Sequence, residues 1–337
     1  MKKNTFFLSL LVGLTFGMIS LTSCSSDDDN DSKKKVMNFQ EASDVIDLSK
    51  LTDGYVYTIK DGSVLTGTVE NKGIGLFLAD GATVTLDNAT IKGTDSDAYD
   101  WGGLQCNGNA TIILKDGTTN YVRGFWSEYP GIYVPENHTV VIKGNGTLTA
   151  SSNGNGAGIG GGFFKPSGNV EIQGGNITAN GGTWAAGIGG GNGASCGNIT
   201  ISGGNVIAQG GKSGAGIGSG TDTSCGEIVI SGGTVTAIGG DKFDDRDSYG
   251  AGIGCGGFRN EAGSSSTACK KIIIQNTVTS VSATKVPGCV NSVGRSTKET
   301  KCGQIVIGGT MYWDSENYVN SGENYLTKST MVYEPEK

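Results

Sequence analysis

Histidine occurs once in 337 residues, proline five times and arginine four times, and no long apolar run follows the first two dozen positions. Each scarcity removes a function class. The single His138 introduces the stretch "HTVVIKG", where it reads as a turn residue rather than a general base. Arg123, Arg246, Arg259 and Arg295 are scattered, so no basic cluster of the kind a polysaccharide lyase holds over a uronate is visible. Five prolines beside 59 glycines do not fit collagen, and the persistent apolar alternation does not fit disorder. The net charge is −7, and −9 once Lys2 and Lys3 are removed with a signal peptide, so nucleic acid and anionic lipid headgroups are repelled.

The one long apolar run is N-terminal. Lys2 and Lys3 precede "FFLSLLVGLTFGMISL", which ends at "LTSC". This reads as a lipoprotein signal peptide over residues 1–23, too short for a spanning helix, with Cys24 as the lipid-bearing (palmitate-type) first residue of the mature chain. "SSDDDND" follows and resembles the acidic run that sends lipoproteins of Bacteroidota-type bacteria to the outer face of the outer membrane. Residues 24–40 read as an acidic disordered linker.

What is abundant is repetition. "CGNITISGGNVIAQGG" (196–211) returns 29 residues later as "CGEIVISGGTVTAIGG" (225–240). Apolar pairs at i and i+2 recur from Tyr57/Ile59 and Val84/Leu86 through Ile199/Ile201 and Ile228/Ile230 to Ile305/Ile307, at intervals of 27, 28, 28, 30, 29, 29, 44 and 33 residues. Alternation inside each pair predicts a strand with one buried face. With two further short strands per unit, the pattern predicts an all-β fold: a right-handed single-stranded parallel β-helix of about nine turns over residues 41–310, capped by residues 311–337. The cap is rich in aromatics, Tyr312, Trp313, Tyr318, Tyr325 and Tyr333, which alternatively contact a partner. The glycine pairs at 174–175, 203–204 and 232–233 fall at a corner repeated on each turn. No Lys-Ser/Thr follows them as a phosphate-binding loop requires.

Cys196, Cys225, Cys269 and Cys302 each lie three residues before the inward Ile of their turn, so they stack on consecutive turns about 4.8 Å apart, within disulfide range. The expected bridges are Cys196–Cys225, Cys269–Cys302 and Cys255–Cys289, with Cys106 a buried free thiol. Stacked unpaired thiols are the other reading, and a column of thiols does not make the tetrahedron that zinc needs.

Function is sought where the repeat is interrupted. "GTDSDAYDWGG" (93–103), "VRGFWSEYPG" (122–131) and "GGDKFDDRDSYG" (239–250) interrupt it at one corner, between second and third strands, and Trp184 lies at the same corner. Tyr99, Trp101, Trp126, Tyr129 and Trp184 beside Asp95, Asp97, Asp100 and Glu128 compose an aromatic and acidic platform suited to stacking sugar rings and bonding hydroxyls. The alternative is that these rings cover the end of the core. Asp241, Asp244, Asp245 and Asp247 offer hard oxygens for calcium, without EF-hand spacing, and "DSDAYD" is a second such stretch. Asp97 with Asp100, or Asp100 with Glu128, is a candidate carboxylate pair for hydrolysis that no spacing demands, and a binding protein is favoured over an enzyme.

The early turn "YTIKDGSVLTGTVENKGIGLFLADGATVTLDNATIKG" and the tandem "SGGTVTAIGG…GAGIG" units resemble non-catalytic carbohydrate-binding proteins of bacterial surfaces with a pectate-lyase-like right-handed β-helix, over about residues 55–310. The resemblance implies calcium ions and acidic plant polysaccharide as ligands. This sequence departs from it in less acidic loops and in the cysteine column. Three functions stay open: a lipid-anchored outer-membrane protein facing outward that holds polysaccharide or a glycoconjugate for a glycan-uptake transporter or enzyme, an adhesin or stalk with no glycan ligand, and a lyase or hydrolase.

Overall fold

The computed structural model describes residues 38–42, 44–243, 248–259, 267–317, 319–321 and 323–336, all in one compact unit spanning residues 35–337. The lipidation residue Cys24 and the signal segment lie outside the described residues. So do Asp244, Asp245 and Asp247 of the calcium expectation, and Tyr318.

Alternation alone accounts for the wall. In Ala82–Lys92, Ala82, Val84 and Leu86 point inward, then Asn88 takes a φ of +54° and the inward set resumes at Ala89 and Ile91. That kink is the corner between first and second strands. On later turns glycine makes it, Gly175, Gly204 and Gly233 having φ of +93°, +89° and +79°. A Cβ on Gly204 would lie 2.6 Å from the Gly175 carbonyl oxygen of the turn before, so a side chain is excluded by stacking as well as by φ.

Among the described residues the strands stack into two sheets, a short parallel one of ten and a long one of 19 that is parallel along the solenoid and ends in antiparallel strands. The fold is the parallel β-helix that the period predicts. In the short sheet Ile132, Ile159, Ile188, Ile217, Ile253 and Val293 pair rung upon rung, all with no exposure. In the long sheet Ile172, Ile201, Ile230, Ile274 and Ile307 do the same. Corner N–H groups are met by the turn before: Asn169 Oδ1 accepts from Asn198 N at 2.8 Å, and Asn198 Oδ1 from Glu227 N at 2.8 Å.

Two expectations are corrected at the N-terminal end. Tyr57 and Ile59 pair with Leu76 and Leu78 in the short sheet, not with the Val84/Leu86 column. An inward i, i+2 pair looks alike on any wall, and the early turns are too short to fit the later period. A strand at Asn38–Ala42 also begins inside the stretch read as linker, held by parallel pairing to Tyr55–Ile59.

The cysteine column is in register: Cys196 bridges to Cys225 in the ladder, Cys225 pairs with Cys269, and Cys269 with Cys302. Cys196 and Cys225 form a disulfide, with Cα atoms 4.6 Å apart. Cys269, Cys302, Cys255 and Cys289 are thiols in the structure, which corrects two of the expected bridges. Cys269 and Cys302 meet as a hydrogen-bonded pair with Cys255 against them, three thiols packed together rather than one bonded pair. Cys255 and Cys289 are out of register. Gly254 pairs with Gly294, so Cys255 stands level with Arg295, whereas Cys289 packs with Tyr249 and Ala251. Cys106 is a buried thiol, and burial pushes its pKa up to about 12.

At the C-terminal end Thr310–Asp314 folds back antiparallel on Lys301–Ile307, and Thr330–Tyr333 pairs antiparallel with Ser280–Thr284, covering edges that would otherwise be open. Trp313 Nε1 donates to Cys302 O at 2.8 Å, and Arg295 stacks on its ring at 4.6 Å. Asp314 anchors this turn. The side chain and N–H of Asn317, the N–H of Glu316 and Gln304 Nε2 all donate to its carboxylate and hold its pKa at about 2. A carboxylate depressed from 3.8 contributes stability that is full above pH 4 and lost as pH falls through about 2. The melting-temperature gap between the protein and Asp314→Ala is therefore expected to be constant above pH 4 and to close towards pH 2.

Candidate functional site

The short-sheet strands Ile159–Gly160, Ile188–Gly189, Ile217–Gly218 and Ile253–Gly254 are two residues long, so the loops entering and leaving them meet over the sheet. Backbone bonds zip the two loop columns together. Phe163 N donates to Glu128 O at 2.7 Å, Asn192 N to Asn155 O at 3.0 Å, Thr221 N to Trp184 O at 2.8 Å and Gly257 N to Ser213 O at 2.6 Å. The result is a ridge running along the solenoid, with side chains from both corners on it.

The expected platform divides on this ridge. Trp101 is not on the surface: it is 8% exposed, its Nε1 donates to Ile74 O at 2.7 Å, and it packs among Phe77, Tyr99 and Phe125. Tyr99 is half-buried with its ring over Gly73, which leaves no room there for a Cβ, and Tyr129 is 5% exposed. These three rings cover core rather than present a face. The physical reason is local: each turn carries a hydrophobic wall, and a wide loop beside it offers its rings the nearest dry surface. Asp95 and Asp97 are exposed, Asp95 Oδ2 accepting from Asn153 Nδ2 at 2.7 Å.

Two half-exposed tryptophans remain. Trp126 sits 6.2 Å from the Tyr129 ring, which in turn meets Tyr133 edge-on at 6.4 Å, with Lys165 Nζ 5.1 Å over Tyr129. Glu128 lies beside them. Partial burial raises its pKa, Lys165 opposes this, and the negative charge of Asp100 adds to it. Asp100 and Glu128, one of the two expected carboxylate pairs, are thus close enough to interact electrostatically.

Trp184 lies two turns further on, about 10 Å along the stack. Its backbone is held at φ +63°, its ring meets Phe243 at 4.5 Å, and the Arg259 guanidinium stacks on it at 5.3 Å. Arg259 is fixed from below, Nε donating to Asp222 Oδ2 at 2.5 Å and a terminal NH₂ group to Asn192 Oδ1 at 3.4 Å. On the facing loop column stands Phe164, 65% exposed, whose N–H donates to Asn192 O.

Tyr133 lies on the third strand itself, and Phe164, Lys165, Asn192 and Arg259 come from the third-to-first corner, which the search of second-to-third loops left aside. The insertion "GGFFKPSG" (161–168) is the signal for it. Asp241 spends Oδ1 on Lys242 N at 2.8 Å, and among the described residues no group of three or more His, Cys, Asp or Glu could hold a metal ion.

No curated protein and no solved structure matches the chain. The family model for the beta-helix repeat matches residues 140–163, 170–192, 199–221 and 228–257, four consecutive turns that include the Trp184 and Asn192 positions of the ridge.

Proposed function

We propose that the protein is a lipid-anchored outer-membrane surface protein that holds polysaccharide along the zipped ridge without cleaving it. The beta-helix architecture occurs in lyases, hydrolases and non-enzymes alike, so the reading rests on the site and not on the fold. One observation carries it. Trp126 and Trp184 present half-exposed rings two turns apart on one loop column and Phe164 an exposed ring on the facing column, with the charged groups of Glu128, Lys165 and Arg259 beside them. A chain of sugars offers apolar C–H faces to rings and hydroxyls to charged groups, and stacked turns present both over a length that suits an extended ligand.

Calcium remains part of the resemblance alone, since Asp241 is the only residue of its expected loop set among those described. A hydrolytic reading has one supporting observation, the upward-shifted Glu128 beside Asp100. It requires new reducing ends on incubation with polysaccharide and their loss in Glu128→Gln.

The binding reading is tested by electrophoresis through gels containing polysaccharide, after a glycan array has chosen the polymer. Trp126→Ala and Trp184→Ala are each expected to weaken retardation about tenfold, roughly 1.4 kcal/mol for one stacked ring. Unchanged retardation in both variants, or no glycan bound on the array, removes the proposal.

A further inference from the structure

The cysteine column ends at a groove. Cys196 is its most exposed member at 8%, against 1–4% for Cys225, Cys269 and Cys302. It opens with Glu136, Asn137, Ser167, Asn169 and Ser195 onto a surface depression of about 320 Å³. Behind it, Cys225 is bonded to Cys196 on one side, and its ladder partner on the other is Cys269, a free thiol. The three residues are consecutive rungs of one parallel ladder, so Cys269 lies on the side of Cys225 opposite Cys196, the side from which an attack in line with the Cys225–Cys196 bond must come. Rungs about 4.8 Å apart suit a disulfide equally well on either side.

We infer that the column is a relay that delivers a reactive thiol to the groove at Cys196, where a small disulfide-bearing molecule is captured. The Cys269 thiolate attacks Cys225 Sγ, the Cys225–Cys196 bond breaks, and Cys196 leaves as a thiolate that takes up the proton released by Cys269. A Cys225–Cys269 bond replaces the Cys196–Cys225 bond, so no oxidant or reductant is consumed. In the second step the Cys196 thiolate attacks an external disulfide, giving a mixed disulfide on Cys196 and one equivalent of free thiol. Cys302, the next rung, and Cys255 pack against Cys269 on its far side. The depression has the size of a small-ligand site, and polar side chains line it.

Glutathione disulfide is the probe. The folded protein, with no reductant present, is incubated with it, quenched in acid and mapped by mass spectrometry of its peptides. The expected product carries glutathione on Cys196 together with a Cys225–Cys269 bond. Cys269→Ser removes the attacking thiol and is expected to lower modification of Cys196 at least tenfold. Equal modification in Cys269→Ser, or glutathione placed on Cys289 or Cys302 instead, overturns the relay. A second variant does not depend on the first folding well: Cys196→Ser is expected to be isolated with a Cys225–Cys269 bond, and finding Cys225 and Cys269 both as thiols in it also overturns the proposal.

Discussion

Gly218→Ala is expected to destabilise the protein by about 3 kcal/mol or more, a large effect for one methyl group. Gly218 has a φ of +139°, a region that L residues rarely adopt, and a Cβ there would collide with the carbonyl of Gly254 on the next turn. Gly160 and Gly189 stand in the same column with φ of +135° and +130°, each against the carbonyl of the turn that follows it. Neither turn can move aside without losing the pairing of Ile217 to Ile253. Gly117 is the control: its φ is also positive, +72°, but a Cβ there meets nothing within 4 Å. Gly117→Ala is expected to cost only about 1 kcal/mol. Denaturant unfolding of both variants separates the strain of a positive φ from the cost of prising two turns apart, and equal losses would mean that stacking is not what selects these glycines. Because each turn rests only on its neighbours, a break at Gly218 is also expected to divide the unfolding transition in two.

Trp101→Ala is expected to cost about 3–5 kcal/mol of stability, with Trp101→Phe costing less. The indole fills the space among Phe77, Tyr99 and Phe125, and its N–H satisfies Ile74 O, which the substitution leaves unpaired. Trp126→Ala, by contrast, removes a half-exposed ring and is expected to leave the unfolding midpoint nearly unchanged while weakening glycan retardation. The two tryptophans are 25 residues apart in equivalent loops, and the sequence assigned them one role. The opposite pattern, a stable Trp101→Ala that no longer binds polysaccharide, would return Trp101 to the binding face and undo the site described above.

The solenoid was legible because its cause is periodic. Apolar residues at i and i+2, returned every 27 to 30 residues on most turns, have one economical burial, which is to stack. The cysteine ladder was legible for the same reason, since a fixed offset from an inward Ile becomes a fixed place on the wall. Legibility failed wherever the period lapsed. Tyr57 and Ile59 were assigned to the wrong wall because an i, i+2 pair does not state which sheet it joins. Cys289 was paired with Cys255 because the loop before it changes length, and the register depends on counting back from Gly294, not forward from Cys255.

The ridge shows the same division more sharply. Composition identified which loops hold rings and charges, but whether a ring lies on core or in water depends on how much apolar wall a neighbouring turn leaves uncovered. Trp101, level with Tyr129, is buried like it, whereas Trp126 stands three residues further from the strand and is half-exposed. Nor does any local pattern join Arg259 to Trp184, 75 residues earlier, or Phe164 to Asn192. The sequence by itself determined the repeat, the inward residues, the glycine corners and the stacked cysteines, because each recurs on consecutive turns and is decided by neighbours one period away. The tertiary structure decided which rings are sheltered, how the two loop columns close over the short sheet, and which sulfurs meet, because those depend on distances across turns that no single turn encodes.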